Sequence, residues 1–227
     1  MSDDIEQFKA VLGVLNRLGI LQDVVIIGGW AKLLYKEGQV IESPQYSTLR
    51  TSDIDILLSR PPQLKTRGNL ASELAGIGFR PSGNEDGSTF FESKDFDIEF
   101  LIPERGKGDD SAVKIEELGI RVSSLRLVDD LLYDTISIKY AEYSITVPNP
   151  IAYCFHKLLI SERRNIPTKK ANDLETALEI GRSLVVSLQW APLVDIKYQE
   201  LPPKQKKTVL RLGKAQGNPI VDLIKKI

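Results

Sequence analysis

The stretch "RTSDIDILLSR", Arg50 to Arg60, sets Asp53 and Asp55 at alternate positions inside an apolar run. Successive side chains of a β-strand face opposite sides, so the two aspartates share one face while Ile54, Ile56 and Leu58 share the other. "FDIEFLIP", Phe96 to Pro103, repeats the arrangement, with Asp97 and Glu99 against Phe96, Ile98 and Phe100. Asp is disfavoured in strands, and like charges on one face repel. If the two strands are neighbours in one sheet, up to four carboxylates converge on its uncovered face. Cations must then neutralise them. Two divalent ions about 3.5–4 Å apart, bridged by carboxylates, form the clamp used for in-line phosphoryl chemistry. The competing reading is a solvent-facing strand edge whose aspartates discourage aggregation.

Upstream, "VVIIGGWAKLLYKEG", Val24 to Gly38, runs from an apolar strand through Gly28-Gly29 into a helical pattern. Such a turn presents backbone N–H groups and the positive end of a helix dipole to an anion. Glycine lets a phosphate approach the backbone closely. The turn is not a P-loop, since GxxxxGK[ST] is absent.

Periodicity places these motifs. Ile5, Phe8, Leu12, Leu15 and Leu18 mark an amphipathic first helix. Asp23–Ile27 reads as a strand, Trp30–Glu37 as a helix stopped by Gly38, and Gln39–Leu49 as loop or ribbon. Asp53–Leu58 is a strand ended by Pro61-Pro62, and Leu64–Ala75 is helical. After the turn-rich "PSGNEDGS" come strands at Thr89–Glu92 and Asp95–Ile102, then the loop "RGKGDD". Ile136–Val147 reads as one strand or a hairpin, closed by Pro148 and Pro150. Helical stripes follow: Ile151, Cys154, Phe155, Leu158 and Leu159, then Leu174, Ala177, Leu178, Leu184, Val185 and Leu188. "LPPK" breaks the chain before a basic helical tail. In that tail Lys204, Lys206, Lys207, Arg211, Lys214, Lys225 and Lys226 face the single acid Asp222, a pattern able to track a phosphate backbone. The expected architecture is α/β (α+β): a mixed sheet flanked by helices in residues 1–148, then a helical C-terminal lobe in residues 149–227.

Composition narrows the chemistry. With one histidine, His156, and one cysteine, Cys154, multi-His and Cys-based zinc sites are excluded, as is an intrachain disulfide. A metal must be held by carboxylates, which favours Mg²⁺ or Mn²⁺. His156 is expected to pack or lie at the surface rather than catalyse, and Cys154 to be buried in its apolar stripe. A net charge of −1 over 227 residues offers no global attraction for nucleic acid or membrane. Asp3, Asp4 and Glu6 after Met1 have the wrong sign for a signal peptide, and no apolar run approaches the ~18 residues of a membrane helix. A cytoplasmic location is expected.

Together, "IIGGWA", "RTSDIDILL" and "FDIEFLIP" resemble the DNA polymerase β-like nucleotidyltransferase superfamily, whose signature is strand, Gly-Gly or Gly-Ser, hDhDh, and a third acid on a later strand. The resemblance implies an insertion around residues 39–48. "GGWA" followed by "RTSDID" is similar to antibiotic nucleotidyltransferases, and Trp30 stands where many members carry Ser or Thr. The superfamily reading implies an NTP substrate, with Asp53 and Asp55 holding Mg²⁺ or Mn²⁺ and Glu99 or Asp97 as the third acid. Periodicity leaves those two open, and the position of Glu99 beside the "FLIP" exit favours it. Gly28, Gly29 and Arg50 or Ser52 would contact the triphosphate.

The later stretch "PNPIAYCFHKLLISERRNIPTKKANDLETALEI" resembles the helical lobe of AbiEii-type toxin nucleotidyltransferases. There a Lys on one helix, basic residues after it and an Asp opening the next helix complete the nucleotide site. This maps to Lys157, Arg163 or Arg164, Lys169 or Lys170, and Asp173, the alternative being a solvated face with a Lys169–Asp173 pair. The implied acceptor is RNA such as tRNA, with an antitoxin-like protein partner. Two rivals stand beside it: transfer to a small molecule such as an aminoglycoside, and a catalytically silent nucleotide- or partner-binding module.

Overall fold

A computed structural model of the chain describes residues 2–41, 53–59, 62, 64, 68–94, 96–104 and 112–225. Contacts divide the chain into two compact units, Met1–Leu34 with Leu49–Pro148, and Tyr35–Thr48 with Asn149–Ile227.

The first unit begins with α1 (Ser2–Arg17), whose stripe Phe8, Val11, Leu12 and Leu15 is fully buried. Then come β1 (Val24–Ile27), α2 (Gly28–Glu37, which runs on into the second unit), β2 (Asp53–Leu58), α3 (Leu70–Ala75), β3 (Arg80–Gly83), β4 (Thr89–Glu92), β5 (Asp97–Pro103), β6 (Val113–Ile115), β7 (Ile120–Leu125), α4 (Asp129–Tyr133), β8 (Thr135–Tyr140) and β9 (Tyr143–Pro148). Strands β1 to β7 form one mixed sheet and β8–β9 a separate hairpin. Within the sheet β2 runs parallel to β5 and antiparallel to β1. On its other side β5 pairs antiparallel with β4 along its first half and parallel with β7 along its second.

Alternation explains the sheet's two-sided character. Ile54, Ile56, Ile98 and Phe100 are at most 1% exposed, and each such side chain contributes about 1.5–3 kcal/mol by burial. Phe91 closes on Phe100 edge to face, ring centres 6.3 Å apart. The opposite face of β2 and β5 keeps Asp53 exposed and Asp55, Asp97 and Glu99 half-buried.

Several expectations need correction. Helix α3 starts at Leu70, not Leu64, because Asn69 caps it by accepting the Ser72 N–H at 3.0 Å. The turn-rich segment contains strand β3; Pro81 is tolerated there because β3 is an edge strand paired only with β4. Only its second half turns, held by Asp86, which accepts from the Ser88 N–H (2.9 Å) and Oγ (2.6 Å). Strands β6 and β7 and helix α4 arise in segments that carry no clear hydrophobic periodicity. They are short, and β7 alternates only over its first residues. The segments 42–50 and 105–111 lie outside the described residues.

The second unit contains α5 (Pro150–Ser161), α6 (Pro167–Val186), α7 (Ala191–Glu200), α8 (Pro203–Gln216) and a 3₁₀ turn, Pro219–Asp222. Asn149 caps α5 through Ile151 N–H at 2.9 Å, with Pro150 in the first turn. The stripe Ile151, Cys154, Phe155, Leu158 and Leu159 is buried. Burial pushes the Cys154 thiol up to about 12, and its Sγ donates to the Ala177 carbonyl, so it is a packing residue. His156 is half-buried on α5. Leu188 departs from its expected stripe and is 96% exposed, because α6 ends at Val186 and helical periodicity stops with it. The end of α2 belongs with these helices: Tyr35 meets Tyr153 edge to face, and Trp190 Nε1 donates to the Val40 carbonyl at 2.8 Å. No described helix is long and apolar enough to cross a membrane.

Candidate active site

The parallel pairing of β2 with β5 sets Asp53 opposite Asp97 and Asp55 opposite Glu99. Paired residues project to the same face, so the four sequence-predicted carboxylates form two cross-strand rows. Strand β4 extends both rows, with Glu92 opposite Asp97 and Phe90 opposite Glu99. Glu92 was not anticipated from the sequence. "TFFE" showed a strand, but only its register with β5 brings that acid alongside. Burial, then the Asp53 and Glu92 charges, raise the Asp97 carboxyl above its ordinary range.

The glycine turn joins this face through Asp55. Strand β1 ends at Ile27, opposite Asp55. The next residue, Gly28, has φ +66°, and a Cβ there would collide with the Asp55 carboxylate. Glycine is thus required twice, for the left-handed backbone and for the approach of the aspartate. Helix α2 carries no acid in its first turn, so its positive end is not offset from within the helix. Trp30 is a core residue, stacked on Phe8 with ring centres 3.9 Å apart and tilted against Phe96 at 6.0 Å. Its Nε1 is buried without a hydrogen-bond partner. Lys32 on the same helix is buried at 4% exposure, a cation that sequence reasoning passed over.

Carboxylates are the donors Mg²⁺ or Mn²⁺ prefer, and the two in-register rows supply that donor type on one face. Among the described residues no three acidic, His or Cys side chains are already gathered into a metal-holding group. Arg50 and Ser52 lie outside the described residues.

Within the second unit, Asp173 accepts from Lys157 Nζ at 2.7 Å and Arg164 Nε at 2.8 Å, with its own side chain only 5% exposed. Burial raises its pKa, but Lys157 and then Arg164 outweigh that and hold the carboxyl below its ordinary value. Lys157 also lies over the Tyr153 ring, 5.5 Å from its centre. Asp173 therefore pairs with Lys157 and Arg164, not with Lys169. It sits in the second turn of α6 instead of opening it, and Arg164 lies beyond the end of α5 instead of on its face. Arg163, Lys169 and Lys170 are exposed.

A strand–glycine–helix turn thus stands against alternating carboxylates on two parallel strands. The chain belongs to the nucleotidyltransferase family whose profile, described as "Nucleotidyltransferase", matches residues 6–202. Its fold is similar to that of an antigenic nucleotidyltransferase-like protein from Paracoccidioides brasiliensis, at 11% identity and TM-score 0.53, covering 97% of this chain and 94% of that one. A weaker likeness, TM-score 0.47 and 12% identity over 94% of this chain and 98% of the other, is to ANT(2")-Ia in complex with adenylyl-2"-tobramycin. No curated protein matches the sequence.

Proposed function

We propose that this protein moves a nucleoside monophosphate from an NTP to an acceptor hydroxyl, releasing pyrophosphate. The observation that carries the reading is the register pairing of Asp53 with Asp97 and Asp55 with Glu99 beside Gly28. Asp53, Asp55 and Glu99 would hold Mg²⁺ or Mn²⁺, which neutralises phosphate charge and activates the acceptor hydroxyl when bound. Glu99 is favoured over Asp97 because it pairs with Asp55, the aspartate packed against the glycine turn. Gly28, Gly29 and the first-turn amides of α2 would receive the phosphates, with Arg50 or Ser52 beside the triphosphate. Asp173 holds Lys157 and Arg164 in fixed orientation, which suits cations assigned to the nucleotide.

The acceptor in this reading is an RNA such as tRNA, in a cytoplasm, with an antitoxin-like protein as regulator. That assignment rests on the likeness of the "HKLLISERR" and "KKANDL" stretches to AbiEii-type lobes. Incubation with each labelled NTP, Mg²⁺ and total tRNA should give labelled RNA, and Asp53→Asn with Asp55→Asn should abolish it. Undiminished transfer by the double variant would refute the carboxylate assignment.

A further inference from the structure

Helix α8 carries Lys204, Lys207, Arg211 and Lys214, all exposed, while Val209, Leu212 and Gly213 are buried. Their 3-4-3 spacing puts the four cations within about an 80° arc and along about 15 Å of helix. There is no acid in α8. Lys206 is turned away from this stripe, donating to Gln199 Oε1 at 3.3 Å and lying 5.9 Å from the centre of the Tyr198 ring. Arg211 bonds to Glu162 just past the end of α5, which ties the middle of the stripe to the connection bearing the exposed Arg163 and, beyond it, to the first turn of α6 with the exposed Lys169 and Lys170.

We propose that this stripe and the adjoining connection form a docking surface for the phosphate backbone of a nucleic acid. The inference rests on the reading of the acceptor as RNA and adds the surface that would bind it. Nothing in a net charge of −1 demands so one-sided a concentration of cations. An acidic protein partner fits less well, because protein interfaces have an apolar core, whereas α8 exposes no large apolar side chain and the connection exposes only Ile166 among the described residues. A membrane surface fits less well for the same reason, since interfacial helices insert apolar residues and those of α8 are buried. Nucleic-acid interfaces are polar and strongly positive, and exposed lysines reach phosphates as point charges.

The test is fluorescence anisotropy with the full chain, using a labelled RNA hairpin, a DNA hairpin of matching sequence and polyglutamate, at several salt concentrations between about 50 and 200 mM. The comparison variant is Lys204→Gln/Lys207→Gln/Lys214→Gln, which leaves Arg211 on Glu162. The expected result is salt-sensitive hairpin binding, weakened in the variant, whose log affinity against log salt has a slope shallower by about three, one for each lysine removed. The variant's melting temperature should be unchanged. Tighter binding of RNA than DNA would mark RNA as the source of the backbone, and the reverse would mark DNA; either supports the surface. Hairpin binding equal in variant and wild type, or polyglutamate binding without hairpin binding, would overturn it. Asp53→Asn/Asp55→Asn protein should bind the hairpin at wild-type strength, so the surface stands or falls separately from the transfer reaction.

Discussion

Two residues show how sharply local identity is constrained. Gly28 combines a left-handed backbone with a space already occupied by the Asp55 carboxylate. Gly28→Ala should lower stability by about 1–2 kcal/mol from backbone strain alone. It should also displace Asp55, so nucleotide transfer should fall by more than urea denaturation accounts for. Asp173 is the second case. Its folded-state pKa lies below the ordinary 3.8, so its contribution to stability is present above that value and is lost as pH falls through the lower folded value. Lys157→Met leaves a buried carboxylate with Arg164 alone and should cost about 1.5–3 kcal/mol at pH 7. Denaturation midpoints should show that deficit shrinking as pH falls below 4. A deficit unchanged by acid would place the loss in packing over Tyr153.

At the scale of elements, β5 matters most, because it pairs with β2, β4 and β7 and carries both candidate third acids. The Asp97 carboxyl is raised above its ordinary value, so ionising it costs stability: the penalty is absent below the unfolded carboxyl range and grows as pH rises through the folded value. Asp97→Asn should therefore raise the melting temperature at pH 7, with the gain vanishing near pH 3. Glu99→Gln should lose turnover while keeping most nucleotide binding, measured by single-turnover transfer and equilibrium titration. An inactive Asp97→Asn beside a near-normal Glu99→Gln would swap the two roles. The alternation that defines this strand was legible in its sequence. What paired with it was not, and so neither was the addition of Glu92 to the row.

For the molecule as a whole, the proposed metal and nucleotide should act as folding ligands. A ligand bound by the folded chain alone stabilises it by RT ln(1 + [L]/Kd), about 2.7 kcal/mol at a hundredfold excess over Kd. Mn²⁺ or Mg²⁺ with NTP should raise the melting temperature, and Asp53→Asn/Asp55→Asn should remove that shift. A shift of the same size in the double variant would put the ions elsewhere.

The sequence by itself determined the features that depend on near neighbours. Alternating acids in "DID" and "DIE" declared two-faced strands, and Gly28-Gly29 declared a strand-to-helix turn. One His and one Cys restricted any metal to carboxylate ligands. The stripe Ile151, Cys154, Phe155, Leu158 and Leu159 declared a buried helix face. Side-chain direction in strands and helices follows from backbone periodicity, which is local. The tertiary structure decided everything that depends on register and long-range contact. Parallel pairing of β2 with β5 sets Asp55 beside Glu99, and a lateral contact fills the space at Gly28 with Asp55. Asp173 takes Lys157 and Arg164 as partners rather than the nearer Lys169. These choices are made by hydrogen-bond ladders and packing between segments far apart in the chain, and no short-range pattern encodes which segments meet.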